Sequence, residues 1–234
     1  MLAGPDAPLR TMRRALSYSV GALAAAIAAD IDRTDEDRAF FAAEKAKLEP
    51  LVVQLKGVHL ALDDFDLGPG EVQQAQVELG DEVLDRGVRD ANARTKIGVK
   101  GKSGLDATHA FGQHVDDLTG APLASEPGEV LTAVGRLNDL PDFEGKVAIQ
   151  QDLTRRADQQ EDFLQEREAG DAHETRLASE GVRLVVESAL ALASLKGLLD
   201  ARFPRQRRYV AAFFLDVSAK RTRKESAPAK KPKK

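Results

Sequence analysis

The chain has 234 residues, contains neither cysteine nor tryptophan, and carries a formal net charge of −4. This length suits one large domain or two small ones, and the absence of cysteine excludes disulfide bonds, thiolate metal sites and cysteine nucleophiles. Helix-forming residues are abundant and only two tyrosines occur. The composition therefore favours an all-α protein.

The charge is distributed unevenly along the chain. From Arg202 to Lys234 twelve Lys and Arg residues stand against two acidic residues, so this part carries +10 and the remainder carries −14. This asymmetry predicts an acidic folded body and a basic C-terminal segment suited to an anionic partner.

Residues 1–8 contain Gly4, Pro5 and Pro8 and read as an irregular lead. From residue 9 to residue 31 the larger apolar residues follow helical spacing, which predicts a packed helix. The alternative is a secretory signal, because three arginines precede an Ala-rich stretch. We expect a cytoplasmic protein, or a secreted one if residues 10–28 act as a signal.

A second helix is expected after Thr34, a good N-cap that three acidic residues follow. Its apolar residues keep heptad spacing from Phe41 to Phe65, and Pro50 predicts a kink or a break near residues 48–49. Residues 66–70 read as a stop and a turn, and residues 71–96 read as a third helix.

The segment 97–127 predicts a loose connector with a short helix at 105–118. A helix at about 126–140 follows, and then a strongly polar helix at 142–168 that we expect to be largely exposed or to offer a face for self-association. Gly170 and Asp171 favour a break there over a continuous helix.

The longest apolar run, Gly181–Phe203, has apolar residues on most of its faces and predicts a helix buried on most sides. Pro204 should end it, and a short amphipathic helix is expected at 205–215. The predicted fold is all-α: a bundle of four or more helices spanning 9–215 around this central helix, followed by a disordered Lys/Ala/Pro-rich tail at 216–234. No segment has the length and apolar character of a membrane span.

Asp106, His109, Gln113 and Asp117 would share one face of a helix, with His114 beside them, and such a face can bind a divalent metal. Ferritin-like carboxylate sites need a Glu-x-x-His motif, which this chain lacks. We therefore expect a solvated polar face and assign no metal, cofactor or catalytic residue. A metal-binding protein or enzyme using Asp106, His109 and Asp117 is the alternative.

The glycines and lysines of VKGKSG, residues 99–104, could in principle hold a phosphate group. The spacing of a P-loop is not met and no strand pattern precedes the segment. We interpret it as a connector. His59 reads as a histidine at the edge of the core, and His173 as an exposed residue in an acidic segment.

The final segment, AKRTRKESAPAKKPKK, interleaves lysines with Ala and Pro, so each charge remains free to reach a phosphate. In composition it resembles the tails of linker-histone-like and other nucleoid-associated proteins, which implies nucleic-acid binding without sequence preference. The aromatic residues of 209–214 stack on bases, insert into a lipid headgroup layer, or pack back onto the bundle. The predicted polyanion-binding residues are Arg205, Arg207, Arg208, Lys220, Arg221, Arg223, Lys224, Lys230, Lys231, Lys233 and Lys234.

These observations favour a non-enzymatic structural or adaptor protein. Its basic tail would bind a polyanion, most simply nucleic acid, and its helices would mediate self-association. Another anionic surface, or no partner at all, remains open.

Overall fold

A computed structural model describes residues 2–29 and 34–217. Over these residues the secondary structure is helical without strands, so the predicted all-α, multi-helix fold is confirmed. The helices are α1 (Leu9–Ala28), α2 (Asp35–Phe65), α3 (Glu71–Gly98), α4 (Ala107–Phe111), α5 (Asp116–Thr119), α6 (Glu126–Leu137), α7 (Lys146–Arg202) and α8 (Arg207–Ala211).

Two helix ends follow directly from local sequence. The N–H group of Asp37 donates to Thr34 Oγ1 at 3.2 Å, so Thr34 caps α2 as predicted. At the other end of the chain, α7 ends at Arg202, immediately before Phe203 and Pro204. Both ends depend on residues within one turn of the boundary.

Three predicted interruptions are replaced by continuous helical structure. α2 runs through Pro50 without a break, because buried Leu48 and Leu51 hold both sides of the proline in one packed face. The expected stop at 66–70 is a π-helical turn, Asp66–Gly70, that leads into α3. α7 also continues through Gly170, whose backbone packs closely against Gln73.

The described residues belong to two compact units. The first unit comprises residues up to Leu62 and from Leu177 onward, and contains α1, most of α2, the C-terminal part of α7, and α8. In this unit α2 and α7 run antiparallel, since Arg202 pairs with Asp37 while Val58 packs near Gly181. The core includes Met12, Leu16, Leu23, Phe41, Leu55, Leu184, Leu192, Leu195 and Leu199.

The burial of Gly181–Phe203 differs from the prediction. Leu184, Leu192 and Leu199 on one face are almost fully buried, but on the opposite face Val182 is 64% exposed and Leu190 is 67% exposed. The prediction of burial on most sides is therefore wrong. The neighbouring helices of the first unit cover this part of α7 from one side only.

The second unit, Asp63–Arg176, contains α3 to α6 and the N-terminal part of α7. Side chains of α7 donate to backbone carbonyl groups of α3: Gln160 Nε2 to Val77 O at 3.2 Å, and Arg156 Nη1 to Val83 O at 2.9 Å. α3 and α7 are thus antiparallel in this unit too. Its core includes Leu84, Val88, Phe111, Val130, Leu137, Phe143, Ile149 and Leu153.

None of the described helices has the combination of length and hydropathy that crossing a bilayer demands. The polar helix predicted at 142–168 forms the first part of α7. Its buried stripe includes Ile149, Leu153 and Ala157, whereas Val147 is exposed.

Candidate functional site

The described part of the predicted polyanion-binding set consists of Arg205, Arg207 and Arg208, which lie between α7 and the middle of α8. All three side chains are exposed. They form no ion pair with any other residue that the structure describes. Their charges are therefore available to an anion in solution.

The local fold explains this exposure. The N–H group of Gln206 donates to Phe203 O at 3.0 Å, which forms the turn after α7. Beyond the turn, Val210 and Phe213 are only 2% and 3% exposed and anchor α8 to the core of the first unit. Arg205 lies in the turn, and Arg207 and Arg208 occupy solvent-facing positions at the start of α8.

The aromatic residues around α8 form part of the core. The Phe213 ring stacks on Phe41 with centroids 5.5 Å apart, and Phe203 stacks on the same ring at 6.0 Å. Tyr209 packs edge-on against Phe203 and Phe213. Of these alternatives, packing onto the bundle is the observed one, so Phe213 is not available to stack on bases in the folded protein.

The remaining cations of the predicted set lie outside the described residues, at 220–234. Arg202, which precedes the set, has a structural role. It donates to Asp37 Oδ1 and Glu36 Oε1 and lies over the Phe40 ring at 5.0 Å. Its hydrogen bond lowers the pKa of Asp37, and the same carboxylate raises the pKa of Arg202.

The single helical face that the metal-binding alternative requires is not formed. α4 ends at Phe111, and Gly112 follows with a φ of +77°, which directs the chain away from the helical path. Asp106 caps α4 by accepting from the N–H group of Thr108 at 2.9 Å. The Thr108 hydroxyl group donates to the same carboxyl oxygen, and this bond, followed by the N–H bond, lowers the pKa of Asp106. Asp117 lies on a separate helix, α5. Among the described residues there is no group of three metal-binding side chains.

The other sequence-level candidates have local contacts. In the 99–104 loop, Lys102 donates to the carbonyl oxygen of Asp142. His109 Nε2 lies 3.2 Å from Asp139 Oδ2, and His173 is exposed with its ring edge against Phe65. His59 is half-buried, as expected of a residue at the edge of a core.

A cluster of three carboxyl groups in the second unit was not predicted from the sequence. Glu126, the first residue of α6, is 1% exposed, and its side chain is within hydrogen-bonding reach of Asp81 and Asp85 on α3. Desolvation, and then the hydrogen bonds to the two aspartates, raise the pKa of Glu126 to about 9. In sequence, Glu126 follows a serine and resembles an ordinary acidic residue at a helix start, so no local signal marks it.

The two units also differ in charge. The second unit contains twenty-five Asp and Glu residues and twelve Lys and Arg residues, a formal charge of −13. Since the whole chain carries −4, the first unit carries +9, of which residues 218–234 contribute +7. The acidic excess that the sequence assigned to the whole body therefore belongs to one unit.

Comparisons of the chain with protein-family models, with curated proteins and with solved structures give no match. A functional assignment has to come from the charge, burial and contacts of this chain's own residues.

Proposed function

We propose that this protein is a non-enzymatic structural or adaptor protein that binds a polyanion, most simply nucleic acid without sequence specificity. The binding segment begins at Arg205, just before α8, and continues through the basic residues that follow α8 in the sequence. One observation carries the proposal: Arg205, Arg207 and Arg208 are exposed and unpaired among the described residues, directly before a segment with eight more Lys and Arg residues.

The pairing state of a cation matters for binding a polyanion. An unpaired arginine releases counterions when it meets a phosphate, whereas a paired one must first give up its own carboxylate. Arg183, for example, is exposed but pairs with Glu187 Oε2 at 3.0 Å. Such residues contribute less to binding than the three arginines near α8.

The charge of the second unit supports the same location. With a net charge of −13, that unit repels a polyanion. Attraction is therefore expected at the first unit, which carries the three unpaired arginines near α8, and at the basic segment after them. An adaptor also needs a second binding surface, which the helices would supply. The exposed apolar residues Val182 and Leu190 on α7 are suitable for self-association.

The test is fluorescence anisotropy with a labelled DNA duplex and a second duplex of scrambled sequence. Both should bind equally, with affinity falling about 10³-fold or more between 50 and 200 mM salt. Deletion of residues 220–234 should abolish binding at the higher salt concentration. Substitution of Arg205, Arg207 and Arg208 by Gln should weaken it about 10-fold or more.

The matched control replaces three exposed but paired arginines, Arg86, Arg155 and Arg183, by Gln, which removes the same charge. This variant should bind nearly as the parent protein does. Unchanged DNA binding after deletion of residues 220–234 would reject the proposal, as would equal losses in the two triple variants.

A further inference from the structure

At the N-terminus of α6, an acidic side chain of α6 meets two acidic side chains of α3. Glu126 on α6 is almost fully buried and faces Asp81 and Asp85, which are one turn apart on α3. Glu126 Oε1 and Asp85 Oδ1 are both buried, and with all three carboxyl groups ionised neither oxygen accepts a hydrogen bond from a described residue. One buried and two partly buried negative charges at this distance would repel each other.

A single proton resolves this conflict. A protonated carboxyl group is a hydrogen-bond donor, so neutral Glu126 can donate to a carboxylate that would otherwise repel it. We propose that Glu126 shares a proton with Asp81 and Asp85, and that this proton fastens the start of α6 to α3 in a pH-dependent manner.

The charged groups around the cluster are consistent with one bound proton. On α3, Arg89 donates to Asp85 Oδ2 at 2.9 Å and also to Thr119 Oγ1 at 3.2 Å, which leaves Asp85 Oδ1 as the oxygen without a donor. On α5, Asp116 and Asp117 are exposed, as is Glu129 on α6. On α7, Arg156 donates hydrogen bonds to Asp152 Oδ2 at 2.8 Å and to Val83 O.

Electrostatics around Glu126 act in opposite directions. Its place in the first turn of α6 favours the ionised form through the helix dipole. Burial and the two aspartates favour the neutral form, and they dominate, since the pKa of Glu126 rises from 4.5 to about 9. A shared proton is thus retained at neutral pH.

The sign of the pH dependence follows from linkage. When α6 detaches, Glu126 returns to an ordinary pKa near 4.5 and loses its proton. The proton-dependent attachment is fully present below pH 4.5 and weakens as the pH rises toward 9. Detachment should become more frequent by at most about tenfold per pH unit, the limit for one proton.

Hydrogen exchange of the full-length protein at pH 5, 6, 7 and 8 tests the proposal, after correction for the intrinsic pH dependence of exchange. Residues 126–137 should lose protection with rising pH. Glu126→Gln keeps a hydrogen-bond donor without titrating, so its protection should be independent of pH. Glu129→Gln, an exposed change on the same helix, should keep the pH dependence of the parent protein.

Two further results bear on the proposal. Carbon-13 NMR of the unmodified protein should show the Glu126 carboxyl group titrating far above pH 4.5, which tests the idea even if Glu126→Gln fails to fold. An ordinary titration midpoint would overturn it, and so would an unchanged pH dependence in folded Glu126→Gln. Protection of α6 from hydrogen exchange by one equivalent of Mg²⁺ or Ca²⁺ in the parent protein, and not in Glu126→Gln, would also overturn the proposal. A metal ion would then hold the carboxylates.

Discussion

Arg202 Nε donates a hydrogen bond to Asp37 Oδ1 over 2.6 Å and so joins the last turn of α7 to the first turn of α2. The guanidinium group also lies 3.3 Å from Glu36 Oε1 and over the Phe40 ring. In the sequence Arg202 is the first cation of the basic C-terminal part. In the structure its side chain binds two carboxylates within the first unit.

Replacing Arg202 by Ala should lower the free energy of unfolding more than replacing Arg183 by Ala. Arg202 is a long-range contact that satisfies two carboxylates at the start of α2, whereas Arg183 makes only pairs within α7. Urea denaturation followed by circular dichroism measures the difference. Equal midpoints for the two variants would show that the contact contributes nothing.

The same contact makes the first unit sensitive to acid. Because Arg202 lowers the pKa of Asp37 below 3.8, the stabilisation is present above that value and is lost as the pH falls through the lowered pKa. Asp37→Asn should therefore lower stability at pH 7 and reduce its fall between about pH 4 and pH 2. Denaturant titrations across this range check the prediction.

Phe41 should be among the most costly residues of the first unit to truncate. It is fully buried and stacks against both Phe203 and Phe213. Phe41→Ala should reduce the free energy of unfolding by about 3–5 kcal/mol. The control Val53→Ala, on the same helix but 70% exposed, should change it by less than about 1 kcal/mol. Similar losses in both variants would contradict the packing described for α8.

Two glycine substitutions in the second unit should have opposite effects. A Cβ at Gly98 would lie 2.4 Å from Cδ2 of buried Phe143, so Gly98→Ala should cost about 1–3 kcal/mol. Gly135, in α6, has no atom within 4 Å of such a Cβ, so Gly135→Ala should stabilise by about 0.5–1 kcal/mol through helix propensity. Thermal unfolding distinguishes the signs, and stabilisation by both would disprove the close approach at Gly98.

The salt dependence of DNA binding should report the number of arginines in contact with phosphate. Each contact contributes about −0.9 to the slope of log affinity against log salt concentration. Gln at Arg205, Arg207 and Arg208 should therefore reduce the slope by up to about 2.7. Anisotropy titrations at four salt concentrations give this number, and an unchanged slope would place the three arginines outside the contact.

Added zinc should find no site at His109. Asp106 is occupied in capping α4, and the turn at Gly112 prevents Asp117 from continuing the same helical face. Isothermal calorimetry should detect no stoichiometric binding that His109→Ala removes. A site lost in that variant would revive the alternative of a metal-binding protein.

Local sequence was sufficient for the features that depend on one or two turns of chain. Thr34 caps α2, Pro204 follows the end of α7, and the helical periodicity of residues 9–28 appears as α1. Capping, proline geometry and the 3.6-residue repeat act between near neighbours, so their effects are visible in a single sequence. The break expected at Gly170 failed because the close approach of α3 to α7 there is not a local property.

The tertiary structure alone decided which residues meet. Arg202 and Asp37 are 165 positions apart, and Glu126 reaches Asp81 and Asp85 only because the fold brings the start of α6 to α3. It also decided that Gly181–Phe203 is covered on one side and that Phe213 is part of the core. Periodicity shows which face of a helix is apolar. Burial and a shifted pKa depend on the neighbours that cover that face, and those neighbours come from distant parts of the chain.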